Sequence, residues 1–349
     1  MSVPDTGIVV IGRNEGPRLR RCIESARRAD LPVVYVDSGS RDGSPELARE
    51  LGCLVVELDV EQGFTAARGR NAGVAALREV HPGLALIQFL DGDCELETGW
   101  IKQARGVLLA NPQLGVVFGR RRERHPERSI YNRLADLEWD GVPGDAAYCG
   151  GDAMIRLEAF DRAGGYPAEC IAGEEPEICL VIRRLGWRVV RLATPMTIHD
   201  ADIHSFSQWW QRQVRAGHAY GEGALRRGRE PERFRVREIS SILFWGGLLP
   251  VASGISVVLF GPTLLGAPIA AYGLLWLRAA PRRFSRRQRA LYASFVLLAK
   301  FAHMQGVFVF IGRRLRLQRR AKLIEYKAPP PDSPRAKAPS RRRTQRRTP

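Results

Sequence analysis

Two carboxylates one residue apart, Asp91 and Asp93, stand directly after an apolar run that includes Leu86, Ile87, Phe89 and Leu90. At the end of a buried strand, such a pair can share a hard divalent cation held by oxygen ligands. Gly92 between them lets the chain turn and a phosphate approach closely. Two more polar clusters follow apolar runs in the same way. Arg13-Asn14-Glu15 comes after Ile8–Ile11, and Asp37-Ser38-Gly39-Ser40 with Asp42-Gly43-Ser44 comes after Val33–Val36. Three acidic strand ends facing one crevice are costly unless a cationic or hydrogen-bonding ligand sits between them. No G-x-G-x-x-G follows the first run and no G-x-x-x-x-G-K-[ST] occurs, which disfavours a dinucleotide oxidoreductase and a P-loop nucleotidase.

The elements that must carry these residues alternate in type. Short β-rich runs at Ile8–Ile11, Val33–Val36, Leu54–Val56 and Leu84–Leu90 are separated by helical patterns around Leu19–Ala29, Glu46–Leu51 and Ala66–Leu77. That alternation predicts an α/β domain with a mostly parallel, Rossmann-like sheet, whose ligands bind beyond the carboxyl ends of the strands.

Read in order, the motifs resemble the family 2 glycosyltransferases with the GT-A fold. They are Asn14-Glu15; Val36 to Ser40; Gly63 with Ala67, Arg70-Asn71 and Gly73; Asp91-Gly92-Asp93; Gly150-Gly151 with Met154 and Arg156; and Gly173-Glu174-Glu175 leading to Arg183-Arg184-Leu185-Gly186-Trp187. The resemblance covers roughly residues 6–225. It implies transfer of a sugar from a nucleotide-diphospho-sugar donor, usually with inversion and with Mg²⁺ or Mn²⁺. By similarity, Asp93 and Asp91 would hold the metal, with His199 as a further ligand. Asn14, Glu15, Asp37, Ser38, Gly39, Arg70, Asn71, Asp91, Gly151 and Asp152 would contact the nucleotide sugar. The acceptor's base would be Glu175, or its neighbour Glu174, where the family typically ends an acidic pair in Asp.

Gln208-Trp209-Trp210-Gln211-Arg212-Gln213 is similar to the Q-x-x-R-W element of processive polysaccharide synthases, but Gln213 replaces the final Trp. That departure points to a non-processive enzyme. Trp209 and Trp210 are read as an interfacial anchor or as acceptor contacts. Residues 120–148 are the expected acceptor-binding segment. Two alternatives stay open: a sugar nucleotidyltransferase, which would want a glycine-rich phosphate loop after the first strand, and a catalytically silent membrane scaffold.

The chain of 349 residues carries a net charge of +17, yet residues 1–238 hold 33 basic and 35 acidic groups. The basicity therefore belongs to the C-terminal third, and a nucleic-acid partner is not expected for the domain at 1–238. Residues 239–277 contain no charge, which predicts a membrane hairpin over about 241–277, with Gly261-Pro262 as its turn. A further apolar segment, about 290–311, contains Lys300, His303 and Gln305. Arginines flank the hairpin on both sides and call for an even number of crossings. Segment 290–311 is accordingly expected to be re-entrant, interfacial or packed against the hairpin. The domain and the basic tail at 313–349, read as largely disordered, would lie on the cytoplasmic face of the cell membrane, where a lipid-linked or saccharide acceptor and membrane lipids are the expected partners. Six cysteines without a C-x-x-C pair fit a reduced setting, and no signal peptide is expected at the start.

Overall fold

The computed structural model describes residues 5–59, 61 and 63–315, so the tail from 316 onward lies outside the described residues. The N-terminal part alternates as the sequence pattern requires: β1 (Thr6–Gly12), α1 (Pro17–Arg27), β2 (Val33–Asp37), α2 (Ser44–Glu50), β3 (Leu54–Glu57), α3 (Ala66–Val80) and β4 (Leu86–Asp91). In α1, Leu19, Cys22, Ile23 and Ala26 recur at helical spacing and are the buried face. Helix α3 opens on a capping Thr65, whose hydroxyl accepts from the Arg68 amide at 3.1 Å. Its buried face includes Ala67, Arg70, Val74 and Leu77, so the stripe that anchors the helix also carries Arg70 to the sheet.

The described residues form a nine-stranded sheet of order β3-β2-β1-β4-β8-β6-β9-β5, with β7 also paired to β9. The β3-β2-β1-β4 half is parallel. Gly12 lies opposite Asp37, and Ile11 opposite Asp91, so the carboxyl ends of β1, β2 and β4 are level. The other half is mixed. β8 (Ala153–Arg156) runs antiparallel to β4 and to β6 (Leu114–Glu123). β9 (Arg188–His199) runs parallel to β6, and antiparallel to β5 (Cys94–Leu96) and β7 (Gly144–Asp145). Helices α4 (Trp100–Ala110), α5 (Ile130–Trp139), α6 (Leu157–Arg162), α7 (Glu174–Arg184) and α8 (Phe206–Arg227) complete this part. Fully buried Trp100 donates its indole N–H to Gln88 at 2.8 Å, so two large polar-tipped side chains enter the core satisfied.

The expected hairpin takes a different shape. α9 (Val236–Leu243), a π-helical turn at Phe244–Leu248 and α10 (Leu249–Phe260) form one continuous rod. The chain turns at Gly261, and after a 3₁₀ turn at Pro262–Leu265 comes α11 (Gly266–Ala279), only 14 residues long. Among the described residues, two helices are long and apolar enough to cross a membrane: Val236–Phe260, with 25 residues, and α12 (Arg286–Leu315), with 30.

The apolar segment expected at 290–311 is unbroken helix and lies alongside α8. Phe295 packs edge-on against Trp209 at 4.9 Å, and Phe310 against His218 at 5.4 Å. Between these contacts the backbones nearly touch: a Cβ on Gly306 would sit 2.1 Å from the Val214 carbonyl oxygen. Three polar side chains in the middle of α12 bond to protein. Lys300 donates to Ser241 at 2.9 Å, the Trp210 indole N–H donates to Gln305 at 2.7 Å, and His303 Nε2 meets Gln213 Oε1 at 3.1 Å. Trp209 is only 2% exposed in this seam, so it is neither an interfacial anchor nor an acceptor contact, because α12 covers it.

Candidate functional site

A cleft of about 1130 Å³ opens beyond the level ends of β1, β2 and β4, where Arg13, Asn14, Glu15, Ser38, Gly39, Asp91 and Asp93 line it. On the opposite side it is bounded by the start of α7, by α8 and by Phe234-Arg235.

Its organising group is Arg70. This guanidinium, 2% exposed, gives one nitrogen to Glu174 at 2.7 Å and the other to Asp91 at 2.9 Å, with Glu175 at 3.4 Å. Asp91 gives its second oxygen to Arg121 at 3.2 Å, and Arg121 also pairs with Asp152 at 2.8 Å. Asp152 is fully buried, and it accepts the Asp91 amide (3.0 Å) and the Thr197 hydroxyl (2.8 Å), so it fixes the strand end beneath the cleft. Burial acts to raise the pKa of Asp91, but Arg70 and Arg121 outweigh it and hold the carboxyl below its ordinary value. The ion pairs explain Gly151: a Cβ there would fall 2.4 Å from an Asp91 oxygen and 2.7 Å from Arg70.

Asp93 and His199 form the second cluster. Asp93 Oδ2 lies 3.3 Å from His199 Nε2, both side chains being buried. On the far side of the ring, Nδ1 faces Glu123 at 3.8 Å. Trp139 meets the imidazole edge-on at 4.6 Å. Burial disfavours the charged ring, yet the neighbouring carboxylates, Asp93 first and then Glu123, raise its pKa. Two ligand atoms on one small dication stand about 3 Å apart, so Asp93 and His199 fit a metal, with Glu123 behind the ring to orient it. Asp91 fits less well as a ligand, because both its oxygens are engaged by arginines. Cys94 also reaches this cluster, but burial pushes its thiol pKa well up, which keeps it a neutral, poor ligand.

Glu174 and Glu175 open α7, where the positive helix end favours acids. They are not equivalent. The Glu174 side chain is 4% exposed and tied to Arg70, whereas the Glu175 side chain keeps 18% exposure. Burial, then the charge of Glu174, push the Glu175 pKa up to about 7 against the pull of Arg70.

The remaining expected residues divide. Asn14, in the left-handed region at φ 55°, accepts the Arg41 amide at 2.8 Å and so clips the loop after β2 beside the cleft. Glu15 lines the cleft and pairs with Arg18 at 3.1 Å. Asp37, Asn71, Gly151 and Asp152 do not line it. Asp37 accepts from Tyr35 (2.9 Å) and the Ser40 amide (2.7 Å) inside the domain. Asn71 uses both ends of its amide on the Tyr166 backbone, at 2.8 and 3.0 Å. The printed partners of Asp37, Asn71 and Asp152 are all protein groups, which hold the walls of the cleft. Sequence reasoning placed Arg121 and Glu123 only within the acceptor segment 120–148 and missed their contacts with Asp91, Asp152 and His199. Their signal was the one-residue spacing at the end of β6, which turns Arg121 and Glu123 to one face and Arg122 to the other, past an irregularity between Arg120 and Arg121.

Comparison with known proteins agrees with this geometry. The family model described as glycosyl transferase family 2 matches residues 7–161. A glycosyltransferase of Haloferax volcanii, AglE, is 31% identical over 71% of this chain and 83% of its own length. The succinoglycan biosynthesis protein ExoA of Rhizobium meliloti is 24% identical over 79% of this chain and 86% of its own. Among solved structures, the mannosyltransferase PcManGT of Pyrobaculum calidifontis, in complex with GDP-Man and Mn²⁺, superposes with a TM-score of 0.53 at 21% identity, covering 90% of this chain and 88% of that one. Fold, motif order and relatives converge on one reading in place of the nucleotidyltransferase and scaffold alternatives: the chain belongs to glycosyl transferase family 2 and is a GT-A glycosyltransferase using a nucleotide-sugar donor.

Proposed function

We propose that the protein is a metal-dependent, inverting, non-processive glycosyltransferase that works at a membrane surface on a lipid-linked or saccharide acceptor. The observation that carries this reading is Glu175: an acid with a pKa near 7, partly exposed, in the same cleft as the Asp93–His199 pair. In a single displacement, the acceptor hydroxyl attacks the anomeric carbon from the face opposite the leaving diphosphate. Glu175 takes the hydroxyl proton, while Arg70 holds both glutamates in place. Asp93 and His199 would hold Mg²⁺ or Mn²⁺, which as a Lewis acid would neutralise charge building on the diphosphate. Mn²⁺ and GDP-Man stand with the superposed mannosyltransferase, which supports this choice.

Membrane association rests on two features. The long apolar helix begins at Val236, directly after the cleft residues Phe234 and Arg235. The loop between α11 and α12 returns to the catalytic domain, where Arg283 pairs with Asp140 at 3.2 Å. The hairpin thus leaves and rejoins the domain on one side, and its arginine flanks favour the cytoplasmic face. Membrane lipids would then contact α10, α11 and the outer face of α12.

The test is nucleoside diphosphate release from a panel of UDP- and GDP-sugars, with and without Mn²⁺. Metal-dependent release with one base, abolished by Glu175→Gln, is expected. Metal-independent release that Glu175→Gln leaves intact overturns the assignment.

A further inference from the structure

Two thiols meet beside the cleft. Cys149 and Cys179 are 30 residues apart in sequence, yet their sulfurs lie 3.6 Å apart, the one sulfur–sulfur contact among the described residues. Both are buried, at 3% and 0% exposure, and neither has a part in the chemistry derived above. Cys149 belongs to an irregular stretch between exposed Tyr148 and Gly150, and it lines the cleft, which gives a small solute access to it. Cys179 lies inside α7, one helical turn after Glu175.

Each sulfur belongs to a segment that touches Arg70. Two residues after Cys149, Gly151 backs onto Asp91 and Arg70 so closely that no Cβ fits. On the other side, α7 opens with Glu174, bonded to Arg70 at 2.7 Å, and with Glu175. Bonded sulfurs stand about 2.05 Å apart, so closing the 3.6 Å gap moves them by about 1.5 Å. Side chains packed this tightly pass part of that movement to the backbone on both sides of Arg70.

Resting on the reading of Glu175 above, we propose that Cys149 and Cys179 are an oxidation site: peroxide joins them in a reversible disulfide that displaces Arg70 and Glu175 and lowers transfer. The Cys149 thiol gives up its proton and its sulfur attacks one peroxide oxygen, breaking the O–O bond. The leaving hydroxide takes that proton as water, and Cys149 becomes a sulfenic acid. The Cys179 sulfur then attacks the Cys149 sulfur, the S–S bond forms and a second water leaves. Two thiols lose two electrons, and one peroxide becomes two waters. The hydrogen bond with Cys179, then burial, push the Cys149 pKa well up, so its thiolate is scarce and the pair responds to sustained peroxide rather than to traces.

The test uses the full chain in detergent, reduced, freed of reductant and incubated with hydrogen peroxide. One portion is unfolded in iodoacetamide and digested for mass spectrometry; the other is assayed for nucleoside diphosphate release from a donor sugar. A peptide pair linked through Cys149 and Cys179 is expected, with a fall in release of at least about tenfold, since misplacing a catalytic group by about 1 Å costs up to about 10²-fold. Dithiothreitol should reverse both. Cys179→Ala, at a position that does not line the cleft, should start at the parent's rate and stay within about twofold of it after peroxide. Should Cys179→Ala fail to fold, Cys149→Ser compared with itself before and after peroxide serves instead. Absence of the linked peptide, linkage through Cys53 (the one cysteine that is not buried) in its place, full transfer by the linked enzyme, or an equal loss in the variant overturns the proposal. A wrong assignment of Glu175 shows elsewhere, as full transfer by Glu175→Gln, and leaves the linked peptide to form.

Discussion

Glu175 is a carboxylate kept partly protonated at neutral pH by burial and by the charge of Glu174. A base with a pKa near 7 gains its active form as pH rises, so kcat/KM should climb through about pH 7 and then level off, a profile read from initial rates at saturating Mn²⁺. Replacing it with Gln should cost about 10²–10⁴-fold in rate and flatten that limb. The same group predicts an opposite trend in stability. Its folded pKa of about 7 lies above the ordinary 4.5, so the fold loses its contribution as pH rises from about 4.5 through 7. Glu175→Gln should therefore raise Tm relative to the parent at pH 8, a gap that closes near pH 4.5; a destabilised variant at pH 8 contradicts the account. The position of Glu175 was legible in Gly173-Glu174-Glu175, but its difference from Glu174 was not. That difference comes from Arg70, 104 residues before Glu174 in sequence, which engages Glu174 at 2.7 Å. Asp91 shows the same limit: its neighbour spacing with Asp93 suggested a shared ion, while the structure directs its oxygens to Arg70 and Arg121 from two distant elements.

At the scale of elements, the parallel strands and their helices follow directly from hydrophobic period, because the buried strands of the N-terminal half are mostly apolar runs, broken in β4 only by Gln88. The pairing of β5, β7 and β9 was not legible. β5 and β7 have three and two residues, too short to show alternation, and they exist only because β9 offers them an edge. The α8–α12 seam was hidden for another reason. Gly217 and Gly306 read as weak helix residues until the crossing is seen, where a Cβ on Gly217 would lie 2.2 Å from the His303 carbonyl oxygen. Since one face of α8 lines the cleft and another rests on α12, the seam sets the position of the cleft wall. Gly306→Leu should push the helices apart, costing about 1–3 kcal/mol by overpacking and lowering transfer activity with it. Gly254→Leu on α10, where a Cβ meets nothing within 4 Å, is the matched control and should leave Tm and transfer near the parent's. Thermal unfolding in detergent and transfer assays on both variants check the pair; equal behaviour would show that the crossing bears no weight.

For the molecule as a whole, the decisive question is how α12 meets the bilayer. Its mean composition is apolar enough to span, which is why sequence alone could not choose between crossing and lying flat. Its neighbours choose. α12 runs beside α8 from Phe295 to Phe310, and α8 carries Arg212, Arg215, Arg226 and Arg227, so the pair cannot sit in hydrocarbon together. The side of α12 turned away from protein shows Leu298, Phe301, Phe308, Ile311 and Leu315, a stripe at helical spacing. We expect α12 to lie in the interface with this stripe toward lipid rather than to cross the bilayer, since its other side packs on the arginine-bearing α8. A spanning helix would change depth by about 15 Å between residues 298 and 308, at about 1.5 Å per residue, whereas an interfacial one keeps both at the same shallow level. Leu298→Cys and Phe308→Cys, each labelled with a fluorophore in liposomes containing spin-labelled lipids, read that difference by depth-dependent quenching. The native cysteines are largely buried and leave little background. Equal, shallow quenching at both positions is expected; a depth difference approaching the spanning value would put α12 across the bilayer and would carry the cleft wall formed by α8 away from the membrane surface it is thought to serve.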